Sequence, residues 1–146
     1  MKIVQNYLGE ISILWDIRVL KSENINNLSI QNDQLWHRDK HDTKSLRLWL
    51  SLSDCKNINF GPFQYLPFNI SKKIIKSFFG RLSDDYIKKN KLLDHVDYLY
   101  SNKGEVSLID VSNLLHCGSR IKTGNNRLVF NAIYTTAKPL KYPHLI

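Results

Sequence analysis

The segment Gln34-Leu35-Trp36-His37-Arg38-Asp39-Lys40-His41-Asp42 places two histidines and two aspartates within six consecutive positions. Imidazoles and carboxylates at this density serve acid–base chemistry or bind a metal. A protein-kinase catalytic loop also begins His-Arg-Asp, but it needs an Asn five residues after its Asp, and Lys44 stands there. The chain also lacks a glycine-rich phosphate loop and an Asp-Phe-Gly triplet. The spacing His37-x-Asp39 follows a different logic. On an extended chain, residues i and i+2 point to the same side, so this imidazole and this carboxylate converge on one point. A second imidazole from a distant strand completes a facial triad of two histidines and one carboxylate. Such a triad leaves positions open on Fe(II) for a cosubstrate and O₂.

The candidates for that third ligand are His41, His95, His116 and His144. His41 is too close in sequence to reach across a sheet, and His144 lies in the C-terminal tail Lys-Tyr-Pro-His-Leu-Ile. His116 ends the apolar run Gly-Glu-Val-Ser-Leu-Ile-Asp-Val-Ser-Asn-Leu-Leu-His, as a residue at the mouth of a barrel does. Eleven residues on, Arg127 opens the next strand-like run. An antiparallel neighbour of that length brings a guanidinium within reach of the pocket, where it can grip the carboxylate of an iron-bound oxo acid with two nitrogens. A second His-x-Asp, His95-Val96-Asp97, closes an expected helix and reads as surface.

Other residues have a supporting role or a bland one. Asp110 is an even number of residues before His116, so it shares that strand face or sits at a solvated edge. Asn131 shares a face with Arg127 and can hydrogen-bond a cosubstrate or satisfy the core. Gln34 and Trp36 lie opposite His37, with Trp36 read as core. Arg47, Trp49 and Ser51 make a polar-aromatic strand face, read as outer rather than pocket-lining. Arg120 and Lys122 can steer an anion, with Arg120 the reserve carboxylate anchor. Cys117 beside the distal histidine reads as packing.

These residues need strands to position them. The β-branched and aromatic run Glu-Ile-Ser-Ile-Leu-Trp-Asp-Ile-Arg-Val-Leu, residues 10–20, is expected to start the fold as a strand almost from Met1. Lys44–Asp54 alternates, with Leu46, Leu48, Leu50 and Leu52 on one face. A turn at Gly61-Pro62 leads to a short strand stopped by Pro67, and 104–116 and 127–136 read as two further strands. Between them, a helical insertion of about residues 70–96 divides into a helix closing at Gly80 and one opening on Ser83. The expectation is a single mainly β domain over residues 1–146, a jelly roll or double-stranded β-helix of cupin-like form.

Length and charge agree with one domain. A chain of 146 residues buries enough surface to fold without disulfides, and its two cysteines fit reduced thiols in a cytoplasmic protein. No apolar run is long enough for a membrane span. The formal charge of +8 comes from dispersed lysines rather than the arginine forks and stacking aromatics of nucleic-acid readers, so nucleic acid is not the expected partner.

The ordered set Gln-Leu-Trp-His-Arg-Asp, then Asn-Phe-Gly-Pro-Phe-Gln-Tyr-Leu-Pro, then Gly104–Thr136 resembles the phytanoyl-CoA dioxygenase family of Fe(II)/2-oxoglutarate oxygenases over residues 7–136. The resemblance implies a double-stranded β-helix, with iron on His37, Asp39 and His116, and 2-oxoglutarate held by Arg127 with Asn131 beside it. It further implies hydroxylation of a small-molecule substrate by O₂, releasing succinate and CO₂. Two departures stand out. The helical region that precedes the first core strand in that family is short or missing here, which suggests a fragment, a minimal version, or a homo-oligomer covering the vacated face. The loop after the Gly-Pro strand reads Pro-Phe-Asn-Ile-Ser rather than Pro-Gly-Ser-His. The competing expectation is a jelly-roll binding domain that has lost oxygenase activity.

Overall fold

In the computed structural model, the described residues are 2–9, 11–24, 30, 32–77, 80–118 and 120–138. Among the described residues, seven strands form two antiparallel sheets. The larger sheet holds β1 (Ile13–Glu23), β2 (Ser45–Ser51), β5 (Val106–Asp110) and β7 (Asn126–Thr135), in the order β1-β7-β2-β5. The smaller sheet holds β3 (Phe63–Tyr65), β4 (Asp97–Leu99) and β6 (His116–Cys117), in the order β4-β3-β6. Isolated bridges extend it, because Trp36 pairs with Leu82 on one side and His37 pairs with His116 on the other. The mainly β, jelly-roll expectation matches this architecture.

Three apolar clusters fill the layers. Trp49, Phe63, Ile109, Val111 and Val129 pack together and join side chains from both sheets. Outside the smaller sheet, α2 (Phe68–Ser77) and α3 (Asp84–Lys89) cover a second cluster of Trp36, Leu66, Leu82, Ile87, Leu115 and Cys117. Ser83 caps α3, accepting a hydrogen bond from the backbone N–H of Tyr86. The helix is shorter than its sequence suggests: the Asn90 side chain donates to the Tyr86 carbonyl and Lys91 takes a left-handed conformation (φ 55°), so a short 3-10 turn at Leu93–His95 replaces the last turns.

Three expectations need correction. The chain does not enter directly on a strand: α1 (Lys2–Leu8) precedes β1, closed by Gly9 at φ 81°, and packs Val4 and Leu8 on Leu46. The run 104–116 is not one strand. It breaks after Asp110, whose carboxylate accepts from the N–H groups of Ser112 and Asn113, and the chain then crosses from the larger sheet to the smaller. Asp110 therefore does not share a strand face with His116; its carboxylate binds Tyr7 instead. Finally, β2 is turned the other way round. Trp49 and Ser51 are buried, and the leucine face of Leu48 and Leu50 points outward, only partly covered.

Candidate metal centre

The peptide around His37 is held on both sides. The Trp36 N–H donates to Leu82 and the His37 N–H to His116 (2.9 and 2.7 Å), and the His116 N–H returns a bond to His37 at 2.8 Å. This exchange fixes the two histidines opposite one another, with ring centroids 4.5 Å apart. Two residues on, the Asp39 N–H donates to Val111 at 2.9 Å, which pins the segment to the turn leaving the larger sheet. The His-x-Asp motif thus runs from one sheet to the other, and its carboxylate arrives beside the histidine pair.

The resulting set is compact. The ligand atoms of His37, Asp39 and His116 all lie within 4.8 Å of one another. Oδ1 of Asp39 is 3.5 Å from Nε2 of His37 and 3.6 Å from Nε2 of His116. Nδ1 of each ring meets a backbone carbonyl, Leu35 at 2.7 Å for His37 and Leu114 at 2.9 Å for His116. A carbonyl only accepts, so both Nδ1 atoms carry the proton and both Nε2 lone pairs face Asp39. Nε2 of His116 is buried and has no hydrogen-bond partner. A buried nitrogen lone pair without a donor, in a cage of two imidazoles and one carboxylate, fits a divalent transition metal.

Electrostatics agree with that assignment. Burial alone disfavours ionised Asp39, but the positive groups around it, His116 and His37 when they carry a second proton and Arg47 throughout, outweigh burial and hold the carboxyl well below its ordinary range. Burial pushes His116 the other way, toward the neutral form that ligates. Arg47 donates through Nη2 to Oδ2 of Asp39 at 2.5 Å, and His41 lies 3.8 Å from the same oxygen.

A cleft of about 490 Å³ opens over His37 and Asp39, its walls formed by Asp16, Arg18 and Leu20 of β1 and by Asn131 and Ile133 of β7. Arg18 stands opposite Asn131, and Asp16 opposite Ile133, in the β1–β7 register. Asn131 is buried with its Oδ1 unpartnered. Arg127 shares the inner face of β7 but is not among the residues lining the cleft. Its guanidinium donates to the Gly61 carbonyl and lies 5.0 Å over the Trp49 ring. Trp49 meets Phe63, and Phe63 stacks on His116 with ring centroids 5.0 Å apart. Burial brings the Arg127 guanidinium down to about 10, its Nε has no partner, and no ion pair reaches it among the described residues. A buried cation in that state is costly unless an anion joins it.

The remaining candidates fall elsewhere. Arg120 binds Asp84 (3.0 Å), which also accepts from the Trp36 indole, so it braces the helical layer. Cys117 packs in that layer, its thiol pushed up to about 12 by burial. Lys122, Gln34, His95 and Asp97 are exposed, and His144 lies outside the described residues. Sequence reasoning missed the β1 wall and placed Arg47 on the wrong side, because both depend on which strand pairs with which.

Comparison with known proteins adds the fold. No family model matches the chain, and no curated protein does. Among solved structures it is similar to the non-heme monooxygenase ThoJ in its apo form (18% identity, TM-score 0.67). It is also similar to the epimerase SnoN in complex with Fe³⁺, α-ketoglutarate and nogalamycin RO (16%, 0.65). A third is HygX from Streptomyces hygroscopicus with nickel, 2-oxoglutarate and hygromycin B (14%, 0.61). The chain has their fold. These matches cover 96%, 99% and 93% of this chain but only 53%, 58% and 61% of the others, so it spans little more than half the length of the proteins it resembles.

Proposed function

We propose that the chain forms the core of an Fe(II)/2-oxoglutarate-dependent oxygenase of the phytanoyl-CoA dioxygenase kind, hydroxylating a small molecule with release of succinate and CO₂. The observation that carries this reading is the buried His37–Asp39–His116 set, with both Nδ1 protons engaged by carbonyls and Nε2 of His116 left without a partner. Bound Fe(II) with 2-oxoglutarate supplies the activation of O₂. The protein's own residues have four tasks. His37 and His116 offer neutral nitrogens, and Asp39 offers one anionic oxygen. Arg127 holds the far carboxylate of the cosubstrate, which answers its unpaired buried charge. The Asn131 amide adds a hydrogen bond from the cleft wall. The cleft volume suits a small ligand, and the structures of HygX with hygromycin B and SnoN with nogalamycin RO support a small-molecule substrate. The buried, unpaired cysteines are consistent with a cytoplasmic location.

The test is anaerobic addition of Fe(II) and 2-oxoglutarate. A weak visible charge-transfer band is expected, absent in His37→Ala, Asp39→Ala and His116→Ala. Arg127→Ala should keep the metal and weaken 2-oxoglutarate, and His95→Ala should change neither. If the three ligand variants bind metal as the parent does, the reading is wrong. Metal binding without any response to 2-oxoglutarate points instead to a domain that has lost oxygenase activity.

A further inference from the structure

The carboxylate of Asp39 is shared between two kinds of neighbour. Oδ1 faces the two Nε2 atoms at 3.5 and 3.6 Å, while Oδ2 accepts from Nη2 of Arg47 at 2.5 Å. Arg47 is rigidly placed for this. It sits on the inner face of β2, a central strand flanked by β7 and β5, opposite Ile133 and Ile109. Its side chain is only 16% exposed, and that of Asp39 only 9%. Both line the cleft. A carboxylate with two free oxygens can chelate a metal through both and occupy two coordination positions. A carboxylate with one oxygen tied to a guanidinium can offer only the other.

Resting on the metal-centre reading above, we propose that Arg47 is a positioning residue of that centre: it ties down Oδ2 of Asp39, so that the carboxylate binds the ion through Oδ1 alone and a coordination position stays available for an exogenous ligand. Two effects of Arg47 oppose one another. Its positive charge repels a divalent ion, so charge alone makes removal of Arg47 tighten metal binding. Its hydrogen bond orients the ligand, so loss of orientation makes removal weaken it. Outer hydrogen-bond partners of metal ligands govern affinity by about 10- to 100-fold, and the Arg47 charge is already balanced by the oxygen it holds. Orientation therefore wins. A single N–O contact is made, not a bidentate fork, so a lysine ammonium can replace it.

The experiment titrates the protein with Co(II) alone and follows its visible d–d absorption, with circular dichroism and thermal unfolding as folding controls. Arg47→Met keeps side-chain length without a donor. It should weaken Co(II) binding by about 10- to 100-fold and lower the intensity of the d–d band as Asp39 adds its second oxygen. Arg47→Lys should restore both the affinity and the band. Should Arg47→Met not fold, Arg47→Gln takes its place with the same expected direction. Unchanged or tighter binding with the parent spectrum in a folded removal variant overturns the inference, as does a folded Arg47→Lys that behaves like the removal variant. In both cases the metal centre itself stands, provided that Asp39→Ala abolishes binding. A parent that takes up no Co(II) instead sinks the metal centre, and this inference with it.

Discussion

At the residue scale, the site depends on one close backbone approach as much as on its candidate ligands. Gly118, two residues past His116, donates its N–H to the Asp33 carbonyl at 2.7 Å. A Cβ there would lie 2.9 Å from that oxygen and 3.3 Å from the carbonyl carbon, both backbone atoms that cannot swing aside. The segment that leads into His37 and the segment that carries His116 are therefore held together by the absence of a side chain. Gly118→Ala should cost about 1–3 kcal/mol, as overpacking does, and should weaken metal binding by separating the two histidines. Thermal unfolding and metal titration of the one variant check both effects. The His-x-Asp pair was legible in the sequence because its geometry is local: two residues on an extended chain share a side whatever the fold. Gly118 was not, because its constraint is a contact with a residue 85 positions away, 118 against 33.

At the scale of elements, the loop between Asp39 and β2 is anchored by Asp42. Its carboxylate accepts from the Thr43 N–H (2.6 Å) and from the Thr136 N–H and hydroxyl (2.9 and 2.5 Å), tying the loop to the end of β7. Burial opposes its charge, but these hydrogen bonds outweigh burial and lower its titration below the ordinary carboxylate value. The native state thus binds the proton less readily than the unfolded chain. The resulting stability is complete above about pH 4 and is lost as pH falls further, through the folded-state value. Asp42→Asn, which turns an amide toward donors, should cost about 1–3 kcal/mol at neutral pH. The gap between parent and variant unfolding curves should narrow as pH drops below about 4. A gap that stays constant with pH would show that ionised Asp42 does not anchor the loop. Alternation in Lys44–Asp54 announced β2 correctly, yet not which face is inside. Four leucines on one side look like the core face. The face carrying Arg47, Trp49 and Ser51 is inside instead, because it meets the inner faces of β7 and β5 around the site.

At the scale of the whole molecule, the outer face of the larger sheet is apolar and only partly covered. α1 shields Leu46, whereas Ile17 (53%), Val19 (61%), Val106 (58%) and Leu108 (39%) remain exposed. Such a face binds apolar dyes and lowers solubility. Val19→Lys combined with Val106→Lys should reduce dye fluorescence in the native protein while leaving Co(II) affinity at the parent value, since both residues lie on the side of the sheet away from the cleft. Parent-level dye binding in the double variant would contradict the exposure. The sequence showed α1 poorly because a seven-residue helix with two apolar contacts gives too little periodicity to read.

The amino-acid order alone determined the strand content, the helical excursion between the strands and the candidate ligands, since each rests on side-chain period or on residue type within a short window. The tertiary structure decided which sheet His116 joins, which face of β2 looks inward, that Arg127 lies against Trp49, and that Arg47 meets Asp39. Those four outcomes come from pairing between segments distant in the chain, and no local pattern encodes a partner.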